Sequence, residues 1–298
     1  MNNRRTALRS LVVLTVVSAV AASHASILGV AGDYNMFVQN NVNVSYTDVE
    51  GRSAIGGNVT TTGMEWGQRI TSGPQNALVV GGNLNMTNGS IRGNAIVGGS
   101  ANVTNTGFSY GGTLQSGNPI NFNGAFSQLR NTTSYLNTLA ANGTVDRPYS
   151  TLNLRGTSTG LNVFNVTADQ LWNSSDVQFF VPTGATVVVN VSGSNVRFKN
   201  YGYGLNGLSR NNLLWNVAGA NASYDYLEGS LLAPNADITT GWGVIQGQVI
   251  AKSWTGNSQT NLHLFTGNVP PAAPVPEPAS MAVFGLSALA FLRRRKQK

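Results

Sequence analysis

Apolar and polar residues alternate in short runs along most of this chain. Tyr34-Asn35-Met36-Phe37-Val38 and Val42-Asn43-Val44 open the series. Ala54-Ile55-Gly56-Gly57-Asn58-Val59-Thr60 follows. Its centre recurs as Val80-Gly81-Gly82-Asn83-Leu84-Asn85-Met86-Thr87 and as Val97-Gly98-Gly99-Ser100-Ala101-Asn102-Val103-Thr104. An apolar residue, a glycine pair and an alternating segment make a corner followed by a strand. The glycine pairs begin at 56, 81 and 98, so the repeat steps by 25 and then 17 residues. The shorter step fits one turn of a three-sided parallel β-helix. The longer step fits a turn with an inserted loop, placed here at Gly63 to Gly73 with Trp66. A set of hairpins with glycine turns fits the same three repeats.

Further strands are expected at Leu161–Val166, Val177–Val181, Val187–Val191 and Leu213–Val217. Gly229-Ser230-Leu231-Leu232-Ala233 then recurs 18 residues on as Gly247-Gln248-Val249-Ile250-Ala251, each Gly-x-apolar-apolar-Ala. One stretch has helical period instead. In Asn123–Ala141, Ala125, Phe126, Leu129, Leu136, Leu139 and Ala140 share a face. Asn123 is the expected N-cap, and Asn142-Gly143 the stop. The pattern predicts an all-β dominated chain, a parallel β-helix (solenoid) with one long α-helix packed alongside.

The two ends break the pattern. Arg4, Arg5 and Arg9 precede an apolar run, Leu11–Ala22, and Ser23-His24-Ala25 has the small-x-small form of a signal-peptide cleavage site. Cleavage after Ala25 is expected, the alternative being an uncleaved anchor. At the other end Val275-Pro276-Glu277-Pro278 precedes the uncharged run Ala279–Leu292, and Arg293-Arg294-Arg295-Lys296 follows it. Prolines keep the acidic segment extended. The run of 14 residues falls short of the ~20 that span a bilayer comfortably, and the arginines behind it favour the cytoplasmic side. This three-part end resembles the PEP-CTERM sorting signal of Gram-negative bacteria that make exopolysaccharide. The resemblance implies cleavage near Pro276-Glu277-Pro278 by a membrane-embedded exosortase. It also implies export to the cell envelope, the cell surface or beyond, with membrane contact only through the C-terminal transmembrane segment before processing. The domains expected are a signal peptide (1–25), a β-solenoid body (26–269) and a proline-rich linker with the sorting signal (270–298), its apolar segment 279–292 and basic end 293–298.

Charge changes meaning once these ends are set apart. The formal net charge of +7 suggests a nucleic-acid binder. Residues 26–274, however, hold ten Lys and Arg against ten Asp and Glu, so the body is neutral. A neutral body lacks the electrostatic footprint that nucleic acid requires. The chain has no cysteine, which excludes disulfides, thiolate nucleophiles and zinc–sulfur sites. Scarce charge, at 10%, with 35 glycines and abundant Asn and Thr, fits secreted β-solenoids and adhesins.

The body carries a second resemblance. Asp48-Val49-Glu50-Gly51-Arg52 with Gly56-Gly57-Asn58-Val59, Phe164-Asn165-Val166, Leu232-Ala233-Pro234-Asn235-Ala236 and Gly247-Gln248-Val249-Ile250-Ala251-Lys252 together look like the choice-of-anchor A domain of bacterial surface proteins. That resemblance implies an adhesive domain and a right-handed β-solenoid. The paired Gly-x-apolar-apolar-Ala turns also look like those of ice-binding β-solenoids, where a long helix lies along the coil. Neither resemblance brings catalytic, cofactor or metal residues.

Candidate chemistry is sparse. Gly107-Phe108-Ser109-Tyr110-Gly111 matches the nucleophile-elbow pattern, and Asp225 or Glu228 with His263 supplies the triad order. In so glycine- and serine-rich a chain the pattern arises by chance roughly one time in three and carries little information, and Gly112–Pro119 cannot form the helix an elbow needs. Asp48 and Glu50 share a strand face, as calcium ligands, as an acid pair, or more simply as partners of Arg52 or a turn. Trp66, Trp172, Trp215, Trp242 and Trp254 are either core residues or platforms for sugars. Thr60-Thr61-Thr62, Thr239-Thr240, Thr87 and Thr104 suggest a flat threonine face, but their offsets vary, so ordinary solvated strands are expected. The function expected is a non-enzymatic, secreted or surface-displayed adhesin-like protein of the extracellular polysaccharide (biofilm) matrix. Exosortase and matrix or cell-surface glycans are its expected partners. The alternatives are an ice-binding β-solenoid and a polysaccharide-active enzyme.

Overall fold

The computed structural model describes residues 26–271. Ala25, Val275, Pro276, Glu277, Pro278, Arg293, Arg294 and Arg295, and the processing expected at them, lie outside the described residues. Within that range the chain is all-β dominated, with twenty-four short strands and two α-helices. The strands collect in three files, which the chain visits in a fixed order. Met36–Val38 lies in the first file, Val42–Ser45 in the second and Asp48–Val49 in the third. Ser53–Ile55 then returns to the first file, and Val59–Trp66 bends through the second and third. Asn76–Val80 with Leu84–Arg92, and Asn94–Val97 with Ala101–Ser109, repeat the circuit.

Pairing within the files is parallel. In the first file Met36 stands beside Ser53, then Leu78, Ala95 and Leu114 in one direction. In the other direction it stands beside Val249, then Leu231, Trp215, Val189 and Phe164. The N-terminal and C-terminal halves therefore meet at Met36–Val38. A separate sheet joins Thr144–Asp146, Thr151–Arg155, Asp176–Phe180 and Gly202–Gly204. The repeats at 231 and 249 fall in register as the sequence spacing predicts. The step of 25 residues is absorbed after Trp66, not around it. Trp66 pairs with Ile91 and is fully buried, and the extra residues form the loop 67–75.

Alternation sorts each strand between two environments. Inward residues such as Met36, Leu78, Val249, Leu231 and Trp215 fill the interior between the files. The outward residues of the first file are also apolar, namely Phe37, Ala54, Val79, Ile250 and Leu232. Helix α1 (Phe122–Thr138) covers them with Phe122, Ala125, Phe126, Leu129, Thr133 and Leu136. Phe126 and Phe122 stack on Phe37 at 5.4 and 5.5 Å between ring centres. Two outward asparagines tie down the helix's far end, where the Asn190 amide donates to Leu136 O at 2.9 Å and the Asn216 amide to Thr133 O at 3.1 Å.

The helix is capped two residues before the expected position. Asn121, not Asn123, accepts from the Gly124 N–H at 3.0 Å, because Phe122 must sit inside the helix to reach Phe37. It also stops early, at an extended Leu139, leaving Ala140 exposed, since Asn142 turns away to bond Val163. A second helix, α2 (Ala168–Trp172), was not expected. Its capping box of Thr167 and Gln170 was readable in the sequence.

Candidate functional site: a level asparagine and threonine face

Among the described residues, no element covers the second file. Its strands Val42–Ser45, Val59–Thr62, Leu84–Thr87 and Ala101–Thr104 lie parallel and in register. Val42, Val59 and Leu84, then Val44, Thr61 and Met86, point inward and are buried. The outward positions form two rows across the strands. One row is Asn43, Thr60, Asn85 and Asn102; the other is Ser45, Thr62, Thr87 and Thr104. Strand geometry makes this a grid of polar groups about 4.8 Å by about 6.6 Å. The irregular 25 and 17 offsets hide the grid in the sequence, because the loop at 67–75 takes up the difference away from the face.

Both borders of this face are ordered by asparagine. At the leading corner the side-chain oxygens of Asn41, Asn58 and Asn83 accept the N–H groups of Asn58, Asn83 and Ser100, each at 2.8 Å. The glycine pairs make room for this ladder, since a Cβ on Gly82 would collide with the Asn58 oxygen. At the trailing corner Tyr46, Gly63, Asn88 and Asn105 all take left-handed backbone, with φ of 54°, 63°, 55° and 50°. Asparagine tolerates that conformation best among residues with side chains, and Asn105 donates to Asn88 at 3.3 Å. The trailing column went unnoticed in the sequence because its four residues share no single identity.

The file continues through Thr255 beside Asn43, Thr239 beside Thr255, then Ser223 and Arg197. The two halves differ in charge. Residues 41–45, 58–62, 83–87 and 100–104 contain no acid or base. The other half carries Lys252–Asp237 at 2.8 Å and Arg197–Asp225 at 3.3 Å. Hydrogen bonds from Lys252 and Ser253 hold the Asp237 carboxyl below the usual range. A depression of about 340 Å³ lies here, among Asn195, Arg197, Asn221, Asp237 and Thr239. Trp242, just past Thr240, is 71% exposed, and Trp172 is 51% exposed beneath Lys199 and Arg197. Trp66, Trp215 and Trp254 are core residues.

The remaining candidate residues do not assemble. Ser109 ends the last strand of the third file, while His263 follows Asn261 four strands away, about 19 Å at the usual strand spacing. A triad needs contact at about 3 Å. A turn and then the strand Leu114–Ser116 follow Ser109, so it has no elbow helix. Glu50 meets Arg69 at 3.0 Å and accepts the Leu262 N–H at 2.7 Å. Arg52, its expected partner, lies over the Tyr34 ring instead. Burial pushes the Asp48 carboxyl up, and Glu50 and Glu65 add to the effect, while Gln259 donates to it at 3.2 Å and opposes it. Glu65 stands beside Asp48 on the neighbouring strand, and on the opposite side the next acid in that file is Glu228, paired with Arg210. It stands three strands from Glu50, about 14 Å, too far for the ~5–9.5 Å of a glycosidase pair. Among the described residues no group of three or more His, Asp or Glu is arranged to hold a metal ion, and no helix is long and apolar enough to cross a membrane.

What the described residues build is a long polar face held level by a parallel all-β body. The chain belongs to the ice-binding-like adhesive domain family, which matches residues 27–262. Residues 274–296 match the PEP-CTERM protein-sorting motif, which implies exosortase processing of an exported, surface-sorted protein. No curated protein sequence matches the chain. Among solved structures it is similar to an ice-binding protein from the Antarctic ascomycete Antarctomyces psychrotrophicus, at 19% identity and TM-score 0.35 over 78% of this chain and 96% of that one. It is also similar to a glycosylated ice-binding protein from an Arctic yeast, at 15% identity and TM-score 0.38 over 83% and 96%. A Shewanella frigidimarina ice-binding protein domain gives 13% identity and TM-score 0.35 over 81% and 97%.

Proposed function

We propose that this protein is an adhesin-like component of an extracellular polysaccharide matrix, and that its level asparagine and threonine face binds matrix glycans. The observation that carries this reading is the in-register, uncharged grid of outward Asn, Ser and Thr on four adjacent strands. Such a grid meets an extended hydroxyl-rich polymer with many individually weak hydrogen bonds, each about 1 kcal/mol net. Trp242 flanks the face as an aromatic platform for sugar rings. In this reading residues 26–269 form one right-handed parallel β-solenoid of the choice-of-anchor A type, with the three files as its sides. Export from a Gram-negative cell removes the signal peptide after Ala25. The exosortase then cuts near Pro276-Glu277-Pro278, with Arg293, Arg294 and Arg295 holding the apolar segment 279–292 in the membrane until then.

The face is tested by a Thr62→Tyr/Thr87→Tyr double substitution. Both side chains point outward, so folding persists by circular dichroism, while co-sedimentation with neutral exopolysaccharide falls by about tenfold or more, the equivalent of one to two hydrogen bonds. Unchanged co-sedimentation removes the face from the reading. Ice is the second reading, favoured by the aligned Thr62, Thr87 and Thr104 and by the family. It takes the lead if the native protein shows thermal hysteresis that the double variant loses, while neither binds polysaccharide. Processing is tested by intact mass. Native protein should lose both ends, and Pro276→Ala/Glu277→Ala/Pro278→Ala should keep its tail in the membrane.

A further inference from the structure

A groove of about 640 Å³ opens where the leading corner of the polar face meets the start of α1. This volume falls within the ~300–1,000 Å³ of clefts that hold small molecules. Asn40 and Asn41 line one side, and Asn118, Asn121 and Asn123 the other. Ile120 and Phe122, each nearly buried, contribute apolar lining. The amides are available. Among the described residues Asn40, Asn118 and Asn123 make no side-chain hydrogen bond to the protein, and all three are exposed. Asn41 and Asn121 commit their oxygens to Asn58 N–H and Gly124 N–H, which leaves their NH₂ groups to donate.

Among the described residues no acid or base lines this groove. Arg130 is not part of the lining, and its guanidinium is taken up by Gln39, which is, and by Asn235. Amides that both donate and accept, set beside apolar carbon, complement a sugar ring, whose hydroxyls lie around its rim and whose C–H bonds form its faces. An anionic sugar would surrender its hydration to a site with no compensating cation. We propose that this groove is a subsite for a short neutral oligosaccharide, and that Asn41 joins it to the ladder of Asn58 and Asn83 along the face. A glycan lying on the face would thus have one end or branch seated in a defined pocket, which gives the flat surface a means of choosing among polymers. The inference rests on the glycan reading of the face.

The test titrates the full chain with neutral gluco-, manno- and galacto-configured trisaccharides and with a hexuronic acid trimer, by calorimetry. At least one neutral trimer should bind at a single site, more tightly than the uronate. Asn118→Ala/Asn123→Ala should weaken it about tenfold or more, as expected for one to two lost hydrogen bonds, while Thr62→Tyr/Thr87→Tyr leaves it unchanged. Equal binding of the uronate, or full affinity in the Asn118→Ala/Asn123→Ala protein, overturns the subsite. If no trimer binds while exopolysaccharide still co-sediments and is lost in the threonine variant, the subsite falls and the face stands. If exopolysaccharide binding is absent or survives in both variants, the glycan reading itself falls.

Discussion

The first and second files are built from the same parallel layers, yet one is sealed under a helix and the other is open. The outward residues decide which. On the first file they are Phe37, Ala54, Val79, Ile250 and Leu232, and α1 removes them from water. On the second they are Asn43, Thr60, Asn85 and Asn102, whose groups water satisfies as well as a neighbour would. Asparagine occurs on both sides and shows what the difference means. Asn190 and Asn216 are buried and anchor helix carbonyls, whereas Asn58 and Asn83 are exposed and tie one strand to the next. Covering a side with a helix therefore takes a full apolar column, with polar residues allowed only where the helix backbone can receive them. A side kept for binding keeps its polar groups outward and spends their bonds on keeping itself level.

The sharpest way to break this contrast is to strip the covered side. Phe126→Ala removes a fully buried ring stacked on Phe37 and should cost about 3–5 kcal/mol by chemical denaturation. The exposed apolar column should then bind a hydrophobic dye, while binding through the second file persists for as long as the protein stays folded. A cost below about 1 kcal/mol would mean that the helix is not what seals the first file. The open side should respond far less. Asn58→Ala breaks one rung of the ladder at a position that water can reach. The expected cost is about 0.5–1.5 kcal/mol, with faster amide exchange at Asn83 and a loss of face binding larger than the stability loss implies.

Much of this was legible in the sequence. The glycine pairs, the repeats at 231 and 249 and the helical period of 125–136 each record a geometric demand of the backbone, and each lies close to its expected place. The grid of threonines was harder to see. Register is a relation between strands, and a loop inserted at one corner changes sequence spacing without changing register. Thr60, Thr61 and Thr62 show the same limit on a smaller scale. They look alike in the sequence, but Thr61 points inward among Val44 and Met86 while its neighbours face out. The groove beside α1 was not legible at all. Its two walls come from residues 40–41 and 118–123, which only the return of the chain along the first file brings together. The carboxylates misled in the opposite way, because acids adjacent in sequence were already committed to Arg69, Gln259 and a backbone N–H.

The smallest effect separates the two halves of the open face. Asp237 is held below its usual range by Lys252 and Ser253, and the neutral half has no counterpart. A folded-state pKa below the unfolded value of about 3.9 stabilises the protein above that value, and the contribution is lost as pH falls through the folded pKa. The pair is close to half exposed on both sides, so screening limits it to a few tenths of a kcal/mol, about 0.3. Asp48 has the opposite sign. Its folded pKa is raised, so protonation as pH drops favours the folded state, and a pH profile of the native protein alone would blend the two. The difference between native protein and Asp237→Asn isolates the pair. The native protein should be slightly more stable at pH 6, and the gap should close as pH falls below about 4. High salt at pH 6 should shrink the same gap, because exposed charges are screened. A gap that stays constant with both pH and salt would assign the role of Asp237 to its hydrogen-bond geometry with Ser253, and the charge on that half of the face would then be incidental to stability.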